Sequence, residues 1–265
     1  MSIIFNPNVG QYGNQLFPTI LASLLAYQNS LNIKSKSNAL VEFKEFENKN
    51  ILPTEFLSNK IGFPKKNLLN KINLPNTFEH VLPKNYYQDS SIFVPFKDII
   101  KNEILILPQI EKNTKDIVMH LRLDGFNHHG HDSHIISPEF YLQILENETF
   151  EQLYIVMATK SGKIKKKQQK YKENYLKYFK KFNPIIFSND EKTDFEFIRK
   201  FDKIICSNST FAWWASFLSE ASKVYIPKYF EGKTANLSNV GSNSIVVEQE
   251  YINIETMEKV PITFQ

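Results

Sequence analysis

Along the second half of the chain the hydrophobic pattern changes period again and again. Short apolar runs fall at 117–121, 153–157, 185–187, 203–206 and 223–226, and each reads as a buried strand. Between them lie stretches with helical spacing. One opens on Ser137-Pro138-Glu139, an N-cap followed by proline at the first helical position. A lysine-rich one covers 163–181, a third covers 194–201, and an aromatic one starts near Thr210. In the lysine-rich stretch the spacing puts Tyr171, Tyr175, Tyr178 and Phe182 on one face and the lysines on the other. Strands alternating with helices predict an α/β fold with a parallel sheet covered on both faces. Ligands of such sheets bind beyond the carboxyl ends of the strands.

The first half is patterned less clearly. A β-type run at 2–6 leads into a turn-rich loop at 7–15, which holds Gly10, Gly13, Asn14 and Gln15. From Leu16 the apolar positions Phe17, Ile20, Leu21, Leu24 and Leu25 predict a helix to about Tyr27. Strand, glycine loop and helix is how Rossmann-like units begin, although Gly10 and Gly13 do not make the dinucleotide fingerprint. Beyond this, 40–43 and 78–82 read as strands and 54–61 as a short helix, with prolines cutting the region into short pieces.

Composition narrows the setting. The 265 residues carry a single cysteine, which precludes an internal disulfide and suits a reducing compartment. No run approaches a membrane span and no basic-then-apolar leader opens the chain, so a cytoplasmic location is expected. The net charge is +4, yet residues 163–181 hold nine lysines and one glutamate, a local +8, so the rest carries −4. Without arginines, one lysine-rich helix is read as a core helix with a solvated face, and no nucleic-acid partner is expected.

Two strand ends hold candidate chemistry. After the strand at 203–206 come four small polar residues, Ser207, Asn208, Ser209 and Thr210, and then Phe211-Ala212-Trp213-Trp214. Such residues cap helices, and a helix start presents N–H groups and a positive dipole end to anions, phosphate above all. A capped core helix with the tryptophans as packing is the plainer alternative. The strand at 117–121 runs into His120, Arg122 and Asp124. An arginine there suits a diphosphate, since its fork makes bidentate, permanently charged bonds; a structural ion pair would look the same in sequence. The cluster His128, His129, His131, Asp132 and His134 has metal-ligand residue types. It is read as a polar loop, because nothing in it fixes tetrahedral spacing with a distant partner.

The segment Ser207-Asn208-Ser209-Thr210-Phe211-Ala212-Trp213-Trp214-Ala215 resembles the S-N-S-T-F-S-W-W-A segment of the family-eleven glycosyltransferases, the α-1,2-fucosyltransferases. Gly13-Asn14-Gln15-Leu16-Phe17 is similar to their G-N-Q-[ML]-F, and Phe187-Ser188-Asn189-Asp190 to their F-S-D-D. His120, Arg122 and Phe126 match H-x-R-R-G-D-[YF]; Leu123 replaces the second arginine and Asp124-Gly125 reverses the Gly-Asp order. The resemblance implies a GT-B architecture of two Rossmann-like domains facing a cleft. Residues 1–115 would be the acceptor-side domain and 116–265 the nucleotide-sugar domain. It implies metal-independent, inverting transfer of a sugar, first of all fucose from GDP-fucose, to a glycan hydroxyl. Catalytic roles would fall to Arg122 and His120, and Asp124, a carboxylate at the same strand end, is the candidate base on its position and not on the family's motif. Substrate binding would fall to Gly13, Asn14, Gln15, Asn189, Asp190, Ser207, Asn208, Ser209 and Thr210. Because of Leu123, UDP-xylose or GDP-rhamnose stays open as the donor, as does a non-catalytic glycan or nucleotide binder.

Overall fold

The computed structural model describes residues 2–4, 11–29, 32–34, 38–44, 79–81, 87–123, 134–157, 166–229, 236–253 and 255–260. The chain divides into two compact units, one of residues 1–109 with 234–236, the other of 110–233 with 237–265. Among the described residues no helix is long and apolar enough to cross a membrane.

In the first unit β1 (Ser2–Ile4), β2 (Asn32–Lys34) and β4 (Glu79–Val81) form a parallel sheet in the order β2-β1-β4. β3 (Glu42–Phe43) pairs antiparallel with β5 (Leu105–Ile106). Helix α1 (Tyr12–Asn29) joins β1 to β2. It begins four residues before the apolar periodicity does, so Gly13, Asn14 and Gln15 lie in its first turn and not in a loop. Asn14 and Gln15 donate to the Gln11 carbonyl at 2.9 and 3.1 Å, which starts the helix there. Gly13 is buried, so its missing side chain serves close packing. Leu16, Phe17, Ile20, Leu21, Leu24 and Leu25 are buried, as expected. Thr19 and Ser23 are buried with them, because their hydroxyls donate back to the Gln15 and Thr19 carbonyls at 2.7 and 2.9 Å. The expected helix at 54–61 lies outside the described residues.

The second unit is an α/β fold built on six parallel strands: β6 (Asn113–His120), β8 (Leu153–Val156), β9 (Ile185–Phe187), β10 (Phe201–Ile205), β11 (Lys223–Pro227) and β12 (Ser244–Val247). Their order is β12-β11-β10-β6-β8-β9. Counted along the chain from the β9 edge this is 3-2-1-4-5-6, the order of doubly wound dinucleotide-binding sheets. Buried Ile117, Val118 and Met119 of β6 meet Leu153, Tyr154 and Ile155 on one side and Lys203, Ile204 and Ile205 on the other. A strand covered on both faces needs this near-continuous apolar run.

Four helices cover the sheet: α2 (Pro138–Asn147), α3 (Lys166–Leu176), α4 (Glu191–Arg199) and α5 (Thr210–Phe217). Ser137 caps α2, with Pro138 at its first position, and Phe140, Tyr141, Ile144 and Leu145 form its buried face. Helix α3 tightens into a 3-10 helix at Lys177–Phe182. The expected face holds in part: Tyr175 is buried and Tyr171 and Phe182 pack at the core margin, but the change of pitch brings Phe179 into the core and leaves Tyr178 exposed, and Lys172 is buried where a solvated face is expected. Helix α4 starts at Glu191, three residues before the expected start, because the Asp190 carboxylate accepts the Thr193 N–H at 2.9 Å. A small antiparallel sheet, β14-β13-β7, joins β7 (His134–Ile136), β13 (Tyr251–Asn253) and β14 (Lys259–Val260). Neither it nor β12 was expected.

One buried carboxylate ties elements of this unit together. Glu148 accepts from Lys223 Nζ at 2.6 Å and from the Tyr225 hydroxyl, with Lys203 Nζ at 3.6 Å. Burial pushes its pKa up, but the bonds from Lys223 and Tyr225 and the charge of Lys203 prevail and hold it below 4.5. A carboxyl depressed by folding stabilises above its unfolded pKa, and that stability is lost as pH falls through the folded value. Glu148→Gln should therefore lower stability by about 2 kcal/mol near neutrality. The gap between variant and wild type should narrow as pH falls below about 4.5. Urea midpoints of both proteins across that range check it; a gap that stays constant through strong acid would refute it.

Candidate functional site

In a doubly wound sheet the crossover changes direction between the first and fourth strands, here β6 and β10, and ligands of such sheets bind beyond the carboxyl ends of those strands. Both segments singled out by sequence lie there. β6 ends at His120 and runs on through Leu121, Arg122 and Leu123. β10 ends at Ile205, and Cys206 to Ser209 lead into α5.

The two strand ends are joined side chain to side chain. His120 Nδ1 is 2.7 Å from Ser207 Oγ, both residues are buried, and the imidazole lies 5.7 Å from the Phe211 ring. A hydrogen bond of this kind is worth about 1 kcal/mol, but here it also fixes the orientation of a histidine and a serine hydroxyl at the two strand ends. Arg122 is half-buried, and one guanidinium nitrogen donates to the Asn208 carbonyl at 3.4 Å. Asn208 Nδ2 in turn is 3.5 Å from the Tyr251 hydroxyl, which donates to the Tyr229 carbonyl at 2.9 Å. Gln249 closes this network, its Nε2 donating to the Tyr229 carbonyl at 2.5 Å and reaching Tyr251 at 3.3 Å.

The start of α5 is set by its backbone. Ser209 is the N-cap in extended conformation, and its side chain makes no capping bond. The first bond of the helix ladder runs from the Trp213 N–H to the Ser209 carbonyl at 2.9 Å, so the N–H groups of Phe211 and Ala212 lie outside it. Behind this turn every residue from Ala212 to Phe217 is buried, and both tryptophans are fully so. Cys206 is buried beneath it, its Sγ 3.0 Å from Ser216 Oγ, and burial pushes its thiol up to about 12. A thiol so far from ionisation is a packing group, not a nucleophile.

No protein-family model, curated protein or solved structure matches this chain. What bears on the chemistry of the site is its own geometry.

That geometry divides the expected residues by role. Ser207, Asn208 and Ser209 are buried, and Ser207 and Asn208 spend their side chains on His120 and Tyr251. They shape the turn. Arg122 and Thr210 are the partly exposed members of the group. Asn189 and Asp190 follow β9, the edge strand, two strand spacings (about 10 Å) from β6. The Asp190 carboxylate accepts from the Thr193 N–H and hydroxyl, and Asp194 Oδ1 takes the Asn189 N–H at 2.9 Å. Both residues thus build the start of α4, a role the sequence reading did not assign them. Gly13, Asn14 and Gln15 belong to the first unit, where Asn14 Oδ1 accepts from Gln88 at 3.0 Å. Asp124 and the cluster from His128 to Asp132 lie outside the described residues. Among the described residues no three His, Cys, Asp or Glu side chains converge to hold a metal.

The reading from sequence missed Tyr251, Gln249 and Tyr229, which brace Asn208. Their arrival depends on the antiparallel pairing of β7 with β13, which puts Tyr251 opposite Ile136. No local spacing announces a pairing across more than a hundred residues.

Proposed function

We propose that the chain is an inverting, metal-independent glycosyltransferase of GT-B type, which transfers fucose from GDP-fucose to a glycan hydroxyl. The observation that carries this reading is the meeting of the His120–Arg122 and Ser207–Thr210 segments at the switch point, joined by the His120–Ser207 bond. The resemblance of both segments to fucosyltransferase motifs supplies the donor. In the proposed reaction the acceptor hydroxyl loses its proton to a base, its oxygen bonds to the anomeric carbon, and the bond from that carbon to the donor phosphate breaks. The electron pair leaves on the diphosphate. Arg122 and the N–H groups at the start of α5 meet that charge, which builds only as the bond breaks and so counts towards kcat. Asp124 is the proposed base. His120, Ser207 and Asn208 hold the cradle in shape. The first unit, with Gly13, Asn14 and Gln15, takes the acceptor side, and Asn189 and Asp190 stand at the margin of the donor site.

A thermal-shift panel tests the reading. GDP at 100 times its dissociation constant should add about 2.7 kcal/mol of stability, in EDTA as well as in Mn²⁺. Stabilisation by UDP and not GDP would remove fucose and keep the site. A requirement for Mn²⁺ would remove the metal-independent mechanism. Release of GDP from GDP-fucose then separates an enzyme from a binder.

A further inference from the structure

The lysine-rich segment is not absorbed by the proposed chemistry. At Lys177–Phe182 the chain is a 3-10 helix, in which residues three apart eclipse. Three rows result. Phe179 and Phe182 turn towards the core, Phe179 fully buried and Phe182 packed at its margin. Lys177 and Lys180 form an exposed row, and Tyr178 and Lys181 form the next. Left-handed Asn183 and Pro184 then turn the chain into β9, the edge strand of the sheet. There Ile185 and Ile186 are 46% and 41% exposed, beside Tyr178 at 43%. Consecutive strand residues point to opposite faces, so the two isoleucines cover both sides of this rim.

We propose that this rim docks on an anionic lipid surface, the lysines meeting phospholipid headgroups while Tyr178, Ile185 and Ile186 enter the interface. Charge is the first argument: residues 163–181 carry +8 by sequence in a chain that otherwise carries −4, and among the described lysines Lys170, Lys177 and Lys180 are exposed, while Lys172 is buried. Of the acidic groups here, Glu146 pairs with Lys181, and Glu173 accepts from Gln169 at 3.2 Å. The second argument is the kind of apolar group. Aliphatic side chains beside lysines and a tyrosine suit the headgroup boundary. A nucleic-acid surface would favour arginines and stacking aromatics, and 163–181 contains no arginine. The opposite edge supplies the contrast. β12 also exposes Ile245 and Val246, but the nearby lysines are matched, Lys228 with Glu248 and Lys259 with Glu250. An exposed apolar edge alone is thus common to both rims, and among the described residues it is the β9 rim that sets Lys177 and Lys180 beside that edge.

Co-sedimentation with phosphatidylcholine vesicles, with and without phosphatidylglycerol, tests the proposal on the full chain without donor or acceptor, so its failure leaves the transferase reading intact. The protein should pellet only with phosphatidylglycerol vesicles, and less as salt rises. Lys177→Ala and Lys180→Ala should each weaken partition about fivefold, the equivalent of about 1 kcal/mol per lysine near such a surface. Ile185→Ser with Ile186→Ser should weaken it by at least as much, while Ile245→Ser with Val246→Ser should leave it unchanged. Unaltered melting temperatures establish that these exposed-site variants are folded. Equal binding to both vesicle types, or indifference to the lysine or Ile185 and Ile186 changes, would overturn the proposal. So would oligonucleotide binding that tracks the lysines while vesicle binding does not.

Discussion

Arg122→Lys is expected to lower kcat by roughly 10²–10³-fold, the loss seen when one preorganised donor to a developing oxyanion is removed. The substitution keeps the charge and discards the fork. Arg122 uses one guanidinium nitrogen on the Asn208 carbonyl at 3.4 Å, which sets the plane of the group against the turn before α5. Its guanidinium is a planar fork, the geometry that bidentate binding of two diphosphate oxygens requires. A lysine ammonium has three donors on a mobile stem, so holding the carbonyl and the phosphate together costs it rotamer freedom. Because the bonds strengthen as charge builds on the leaving group, kcat should fall more than KM rises. Stability should change by less than about 0.5 kcal/mol, since the side chain is only half-buried. Steady-state kinetics and a melting curve of one variant check both halves. Unchanged turnover with a much lower melting temperature would make Arg122 a structural residue, and the donor site drawn around it would go with it.

How much of this was legible in the sequence follows from the range of each interaction. The strands of the second unit up to Pro227 were visible because a central parallel strand is apolar on both faces, as Ile117, Val118 and Met119 show. The Ser137 cap was visible because a cap is decided within three residues. Placement of His120 and Ser207 at adjacent strand ends followed from the rule for strand ends, although the 2.7 Å bond between them joins residues 87 apart. Where local signals competed, the reading slipped. Gly13 looked like a loop residue and sits inside a helix turn, because a buried glycine can serve packing as well as turning. Asp190 is singled out in the sequence as a substrate-binding residue, and the cap it makes with Thr193 had no separate signal, because a carboxylate before a helix serves either purpose. The brace of Tyr251, Gln249 and Tyr229 had no signal at all, since strand β13 and its partner are short and meet only in the folded chain.

Trp213→Ala should destabilise the protein by about 3–5 kcal/mol, the range for removing a large buried aromatic side chain, and lower its melting temperature by roughly 10 °C. Trp213 is fully buried in α5, stacked on Phe217 at 5.0 Å and edge-on to Trp214 at 4.8 Å. Its Nε1–H also donates to the Asn239 carbonyl at 3.1 Å. Alanine would forfeit the ring contacts, leave a cavity beneath the helix and strand a carbonyl. Trp213→Phe should be milder, about 1–2 kcal/mol, because a phenyl ring still meets Phe217 and only the indole bond and part of the volume are lost. The pair also bears on function. The Trp213 backbone N–H makes the first bond of the helix ladder, to Ser209, and the buried indole bonded to Asn239 holds that residue in place, so the side chain anchors the turn that presents the proposed donor-binding N–H groups. Loosening that anchor should weaken GDP binding in the alanine variant, while the phenylalanine variant keeps near-native affinity. Urea titrations and GDP binding below the melting range measure both effects. If the alanine variant binds GDP as tightly as wild type, the start of α5 does not hold the diphosphate, and the proposed site shrinks to the strand end at Arg122.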